Sequence, residues 1–239
     1  KEWLQEDELP KRYAGFSTCF RKEAGSSGRD IRGIFRVHQF DKVEQFVVCK
    51  DDIEESKKMQ DQMLEAAEQF WQSLGIPYRV VTIVSAELND AAIKKYDLEG
   101  WFPGQQAYRE LVSCSNCTDF QSRAMEIRCG SKKMNQTSAS YCHMLNSTLV
   151  ATGRGICAVL ENYQTPEGVV VPEVLRPYMG GMEFMPFVRE AKLEKDTAPK
   201  GGKNKGGGKP GEKQPKGSKP KPAKKEAAPA PAPAPAAAA

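Results

Sequence analysis

The sequence predicts an α+β fold, an antiparallel sheet flanked by helices, on three observations. Runs with strand composition follow one another across short turns and outnumber the helical segments. Between them, residues 56–74 carry Met59, Met63, Ala66, Ala67, Phe70 and Leu74 at helical spacing, which marks an amphipathic helix with one face packed on a sheet. At 239 residues and 39% hydrophobic, the chain can bury one sizeable core, with no sign of a second folded domain.

Taken in order, the first strands are expected over Gly15 to Glu23 and Ile31 to Phe40, an antiparallel pair joined by a loop holding Gly25-Ser26-Ser27-Gly28, with a further strand over Val43 to Cys49. The long helix ends at Gly75-Ile76-Pro77, where glycine suits the cap and proline cannot continue the helix. Strands follow over Tyr78 to Val84, Tyr96 to Phe102, Ala107 to Ser113 and Tyr141 to Val150, with helices near Asp119 to Glu126 and from Gly153 to Tyr163.

The first pair carries the chemistry. Alternation puts Arg21 and Glu23 on one face of the first strand, and Arg36, His38 and Phe40 on one face of the second, with Phe35 and Val37 turned to the core. Guanidinium groups grip phosphate oxygens through paired, charge-assisted hydrogen bonds, and an exposed aromatic beside them offers a flat partner for a base. Arginines alternating with apolar residues also make the solvated face of an ordinary sheet, so the residues alone leave both readings open.

Arg21-Lys22-Glu23, a loop, and then Arg36-Val37-His38-Gln39-Phe40-Asp41-Lys42-Val43-Glu44 closely resemble motif 2 of the class II aminoacyl-tRNA synthetases, in the form carried by seryl-tRNA synthetases. Leu145-Asn146-Ser147-Thr148, Arg154, Leu160 to Gln164 and Val171 to Met179 resemble motif 3 of that family, in the same order. The segment Trp101 to Phe120, with Arg109-Glu110-Leu111-Val112-Ser113-Cys114-Ser115-Asn116, matches as well. The resemblance runs from about Trp3 to about Val188. It implies the class II catalytic fold of six to seven antiparallel strands, with residues 1–197 as the C-terminal part of a cytosolic-type catalytic domain. Motif 1, the N-terminal helical arm and an upstream Thr-x-Glu loop, which the resemblance also implies, do not occur in these 239 residues.

The activity implied is ATP-dependent serine–tRNA ligation, in which L-serine is activated to seryl-adenylate and passed to tRNA(Ser). On the resemblance, Arg21 holds the α-phosphate and the amino-acid carboxylate, and Arg176 covers one adenine face and reaches the γ-phosphate; these two are the catalytic candidates. Lys22, Glu23, Val37, His38, Gln39 and Phe40 complete the nucleotide site, Glu23 near the adenine amino group and Phe40 stacked on the ring. Arg36 helps with the outer phosphates. Glu110 and Ser113 hold magnesium with ATP, and Leu111 and Val112 lie between them. Glu44 takes serine's ammonium, and Asn146 with Thr148 its hydroxyl. The implied partners are ATP, L-serine and tRNA(Ser), with a homodimer in the full-length protein and no membrane; whether tRNA(Sec) is also served stays open. Two alternatives stand: a synthetase-derived binding or regulatory protein without turnover, and a class II synthetase for another small amino acid.

Seven cysteines, an odd number scattered through strands and loops, read as reduced thiols of a cytoplasmic protein. Cys114-Ser115-Asn116-Cys117 lacks a second pair, and His38 and His143 lie far away in sequence, so no zinc is expected; His143 reads as a partly buried packing residue. No apolar run is long enough to span a bilayer. Residues 198–239 hold ten lysines against two glutamates, a net charge of +8, which leaves 25 basic and 29 acidic residues, net −4, in residues 1–197. This Lys/Gly/Pro/Ala tail is expected to be disordered; it would attract RNA phosphates without reading sequence, or serve as a solubilising extension.

Overall fold

The structure, a computed structural model, describes residues 2–22, 35–130 and 140–189. Contacts divide the chain into Lys1–Phe187, which holds every element named below, and Val188–Ala239, of which Val188 and Arg189 are described. Glu23 and the lysine-rich tail lie outside the described residues.

The chain opens with β1 (Glu2–Leu4), then β2 (Lys11–Phe20) and β3 (Gln39–Cys49). Helix α1 (Ile53–Ser73) leads to β4 (Tyr78–Thr82), β5 (Lys94–Phe102), β6 (Ala107–Asn116) and the short α2 (Phe120–Met125). There follow β7 (Ile127–Cys129), β8 (Ser140–Tyr141), β9 (His143–Ala151), α3 (Thr152–Tyr163), β10 (Gly168–Val170), a 3-10 stretch at Glu173–Met179 and β11 (Phe184–Pro186). Six strands form an antiparallel sheet in the order β2-β3-β9-β6-β5-β4, and β1-β7-β8 and β10-β11 make two small sheets beside it.

The hairpin differs from the sequence expectation. Strand β2 pairs directly with β3, from Lys11 opposite Val48 to Phe20 opposite Gln39, so Val43 to Cys49 is not a separate strand. Residues 35–38 lie outside the ladder because Phe35 leaves it for the core, where its ring meets Phe102 edge to face at 5.3 Å. Strand alternation therefore does not govern Val37, which was expected to face the core and instead lines a cavity. The short strands β1, β7, β8, β10 and β11 lack enough residues to show a period in sequence.

Helix α1 starts because Asp52 caps it, its Oδ1 accepting from the amides of Glu54 at 2.8 Å and Glu55 at 3.1 Å. It stops at Gly75, which adopts φ +66° and sits where a Cβ would meet the Tyr163 hydroxyl at 2.5 Å. Met59 and Met63 pack on Val47, Cys49, Cys114 and Leu145. Further along, Ala67, Trp71 and Leu74 join Leu98, Phe102, Val112 and Ala158 of α3. Trp71 is fully buried, and its indole N–H is satisfied by the Leu149 carbonyl at 3.2 Å.

This packing gives the sheet two distinct faces. Val47 and Cys49 of β3 turn to α1, so Phe40, Lys42 and Glu44 turn the other way. One bulge interrupts the β3–β9 ladder: Glu44 faces Thr148 and Val43 faces Val150, with Leu149 left over. Among the described residues, no helix is long and apolar enough to cross a membrane.

Candidate functional site

On the face of the sheet turned away from α1 lies a cavity of about 250 Å³. Strand β3 lines it with Phe40, Lys42 and Glu44, β6 with Leu111, Ser113 and Ser115, and β9 with Asn146 and Thr148, each set at the two-residue period of a strand. Arg21 at the end of β2, Val37, Glu110 and Arg154 in the first turn of α3 close it.

One end is built around a buried carboxylate. Glu44 is only 8% exposed; its Oε2 accepts from the Thr148 hydroxyl at 3.0 Å and its Oε1 from the Asn146 amide nitrogen at 3.3 Å. The Lys42 ammonium lies 2.6 Å from the same Oε2. Asn146 is oriented from both sides, because its Nδ2 serves the carboxylate while its Oδ1 accepts from the Cys117 thiol at 3.8 Å. An amide oxygen has two lone pairs, so Oδ1 can accept one further hydrogen bond beside that of the thiol.

The other end concentrates positive charge. Arg154 donates from Nε to the Phe35 carbonyl at 3.4 Å and from Nη1 to the Glu110 carbonyl at 2.6 Å. The Phe35 ring is met by two guanidinium groups, Arg154 at 4.6 Å and Arg109 at 4.8 Å from its centroid, and Arg21 stands 5.1 Å from the Phe40 ring. Burial holds the Arg154 pKa below its ordinary value; Glu110 opposes this, and the nearby charges of Arg21, Arg109 and Arg36 add to it. Three further guanidinium groups near enough to act on Arg154 give this end a positive field suited to a polyanion. Beside them, the Glu110 carboxylate and the Ser113 hydroxyl offer oxygen donors, the chemistry a magnesium ion takes together with phosphate oxygens. Behind Ser113, Asp97 of β5 is 6% exposed, and burial first, then the Glu110 charge, pushes its carboxyl up to about 6 against Lys95 and Ser113.

Nine residues expected from the sequence thus come to one cavity: Arg21, Val37, Phe40, Glu44, Glu110, Leu111, Ser113, Asn146 and Thr148. Others do not line it. Arg176 belongs to the 3-10 stretch, where its Nε donates to the Val171 carbonyl at 3.2 Å and its Nη1 to the Glu183 carboxylate at 3.0 Å. Val112 is fully buried on the helix side, since alternation sends it opposite Ser113. Lys22, Arg36, His38 and Gln39 are exposed beside the cavity, and His38 Nδ1 lies 3.3 Å from the Arg21 carbonyl. His143, expected as a partly buried packing residue, is 3% exposed with Nε2 3.1 Å from the Asp51 carboxylate. The Cys114 thiol is fully buried against α1, donating to the Gln60 carbonyl at 3.6 Å, and burial pushes its pKa up to about 12. The sequence assigns no role in the site to Arg154, Ser115 or Lys42. The two-residue period from Phe40 to Glu44 and from Ser113 onward was the signal for Lys42 and Ser115.

Residues 1–163 match the model of the tRNA synthetase class II core domain (G, H, P, S and T). Over 194 residues the chain is 64% identical to the cytoplasmic serine–tRNA ligase of Dictyostelium discoideum, a match covering 81% of this chain and 42% of that protein. The crystal structure of the cytoplasmic serine–tRNA ligase of Naegleria fowleri in complex with AMP aligns with a TM-score of 0.76 and 59% identity, over 79% of this chain and 44% of that one. The seryl-tRNA synthetase of Pyrococcus horikoshii complexed with ATP aligns with a TM-score of 0.72 and 49% identity, over 78% and 41%. The chain spans less than half the length of these relatives.

Proposed function

Because this chain belongs to the tRNA synthetase class II core-domain family, we propose that it is the substrate-activating part of a serine–tRNA ligase, which joins L-serine to ATP and passes the seryl group to tRNA(Ser). One observation carries the reading: a carboxylate, Glu44, only 8% exposed and held by Asn146 and Thr148, shares a cavity with the guanidinium groups of Arg21 and Arg154. Its negative end suits a small ammonium and its positive end a triphosphate.

In this reading serine binds with its ammonium on Glu44, and its carboxylate oxygen attacks the α-phosphorus of ATP in line, expelling pyrophosphate. A ribose hydroxyl of the tRNA then attacks the mixed anhydride. The first step needs no side-chain nucleophile, so the protein acts by positioning and by fixed charge. Arg21 and Arg154 face the charge that gathers at phosphorus, and Phe40 offers its ring to the adenine. Glu110 and Ser113 would hold magnesium, which supplies further neutralisation of the phosphate oxygens. The Asn146 amide oxygen would accept the serine hydroxyl, so alanine or glycine leaves it unpaired, while threonine brings a methyl into a pocket walled by Thr148 and Ser115.

The cytoplasmic names of the relatives support a cytoplasmic location. A homodimer and capture of tRNA phosphates by the lysines of 198–239 complete the proposal for the whole gene product. It is tested by exchange of labelled pyrophosphate into ATP, with serine compared against threonine, alanine and glycine. Serine-dependent exchange is expected; exchange driven better by another amino acid overturns the specificity, and no exchange with any amino acid leaves a binding or regulatory protein.

A further inference from the structure

Strand β3 sends Phe40, Lys42 and Glu44 into the cavity at successive same-face positions, about 7 Å apart. With adenine at Phe40 and the serine ammonium at Glu44, the side chain midway between them stands under the point where serine's carboxylate meets the α-phosphate. That side chain is Lys42, yet its ammonium is turned aside onto Glu44 Oε2 at 2.6 Å. It occupies the place an amino acid's ammonium would need.

This is not an ordinary surface pair. The Glu44 side chain keeps 10% of its exposure and that of Lys42 26%, and a carboxylate so far removed from water is costly without a cation. Lys42 is the cation of the free site. Its position would be poor once displaced, because Arg21 and Arg154 already line the same cavity. Phosphate oxygens there would reverse that.

Resting on the reading of Glu44 given above, we propose that Lys42 is an exchangeable counter-ion that couples the two substrates. Serine's ammonium displaces Lys42 from Glu44, and the flexible lysine stem carries the freed ammonium to the α-phosphate of ATP. No bond is made or broken and no proton moves. Without nucleotide, serine competes with a tethered ammonium and binds weakly; with nucleotide, the displaced charge has an anion to meet. Each substrate therefore tightens the other by the same factor.

The test is calorimetric titration of serine into the whole gene product, with and without α,β-methylene-ATP and magnesium, for wild type and for Lys42→Met. In wild type the nucleotide analogue should tighten serine binding about tenfold. In Lys42→Met, serine alone should bind at least as tightly as to wild type, and the analogue should add little. Tightening of wild-type size in Lys42→Met overturns the proposal, as does weaker serine binding equal with and without the analogue, which would make Lys42 a structural support. Should Lys42→Met melt well below wild type, Lys42→Gln decides by the same criterion. Glu44→Gln separates the two readings. If it weakens serine while Lys42→Met changes nothing, only the exchange fails; if it leaves serine binding intact, the assignment of Glu44 fails and takes the exchange with it.

Discussion

Arg154 and Glu110 are joined through both backbone and side chain: the Arg154 Nη1 donates to the Glu110 carbonyl at 2.6 Å and lies 3.9 Å from its carboxylate. With its Nε on the Phe35 carbonyl, one guanidinium ties the first turn of α3 to β6 and to the residue that leaves the hairpin for the core. Arg154→Lys keeps the charge but loses the planar fork and the stacking on Phe35. Serine-dependent pyrophosphate exchange should fall on the order of a hundredfold, the cost of one misplaced electrostatic donor. Exchange close to wild type would mean that charge alone matters there.

Arg21 is exposed and its side chain faces the cavity, not the core. Arg21→Ala should therefore cost about 3 to 4 kcal/mol in the activation barrier, a hundred to a thousandfold in exchange rate, with the melting temperature nearly unchanged. A large drop in melting temperature would show that Arg21 holds the hairpin together instead.

Glu44→Gln removes the buried negative charge and leaves Phe40, Arg21 and Arg154 in place. The Michaelis constant for serine should rise far more than that for ATP. Steady-state exchange with each substrate varied in turn measures the split, and equal changes in both would place Glu44 outside the amino-acid pocket.

Asp97 makes stability depend on pH. Its carboxyl is raised from 3.8 to about 6 in the folded protein, by burial first, so the unfolded chain gives up the proton at lower pH than the folded one. The stability this contributes is fully present below pH 3.8 and is lost as pH rises through about 6. Asp97→Asn should then raise the free energy of unfolding at pH 7.5 by on the order of 1 to 3 kcal/mol and lose that advantage near pH 4. Urea unfolding at the two pH values decides. A loss of stability at pH 7.5 would mean that the ion pair with Lys95, at 3.4 Å, outweighs burial.

What could be read from the chain follows from the range of the forces involved. Helix α1 was legible because Met59, Met63 and Ala67 recur every four residues and Gly75 ends it by local backbone preference. Glu44, Asn146, Thr148 and Ser113 were placed in a site only by the resemblance to the class II synthetase motifs; composition and spacing alone do not single them out. The hairpin register was not legible, since β3 is held on both sides by partners distant in sequence, and Phe35 leaves the ladder for Phe102, which lies on β5. The resemblance singles out Arg176 as a catalytic cation and gives Arg154 no role. Only the fold sets one against Glu183 and the other into the cavity.

Leu149, the residue left over between β3 and β9, reverses the parity of its strand. Even-numbered Asn146 and Thr148 look into the cavity, but after Leu149 it is Ala151 that does, while Val150 packs in the core. A single methyl thus stands opposite Lys42, where an unbroken ladder would place a branched side chain. Changes in chain length between Thr148 and Arg154 should therefore be far less tolerated than changes in composition. Removing one residue would bring Val150 to the pocket wall and, if the helix started one position early, turn Arg154 by about 100° around its axis, away from the cavity.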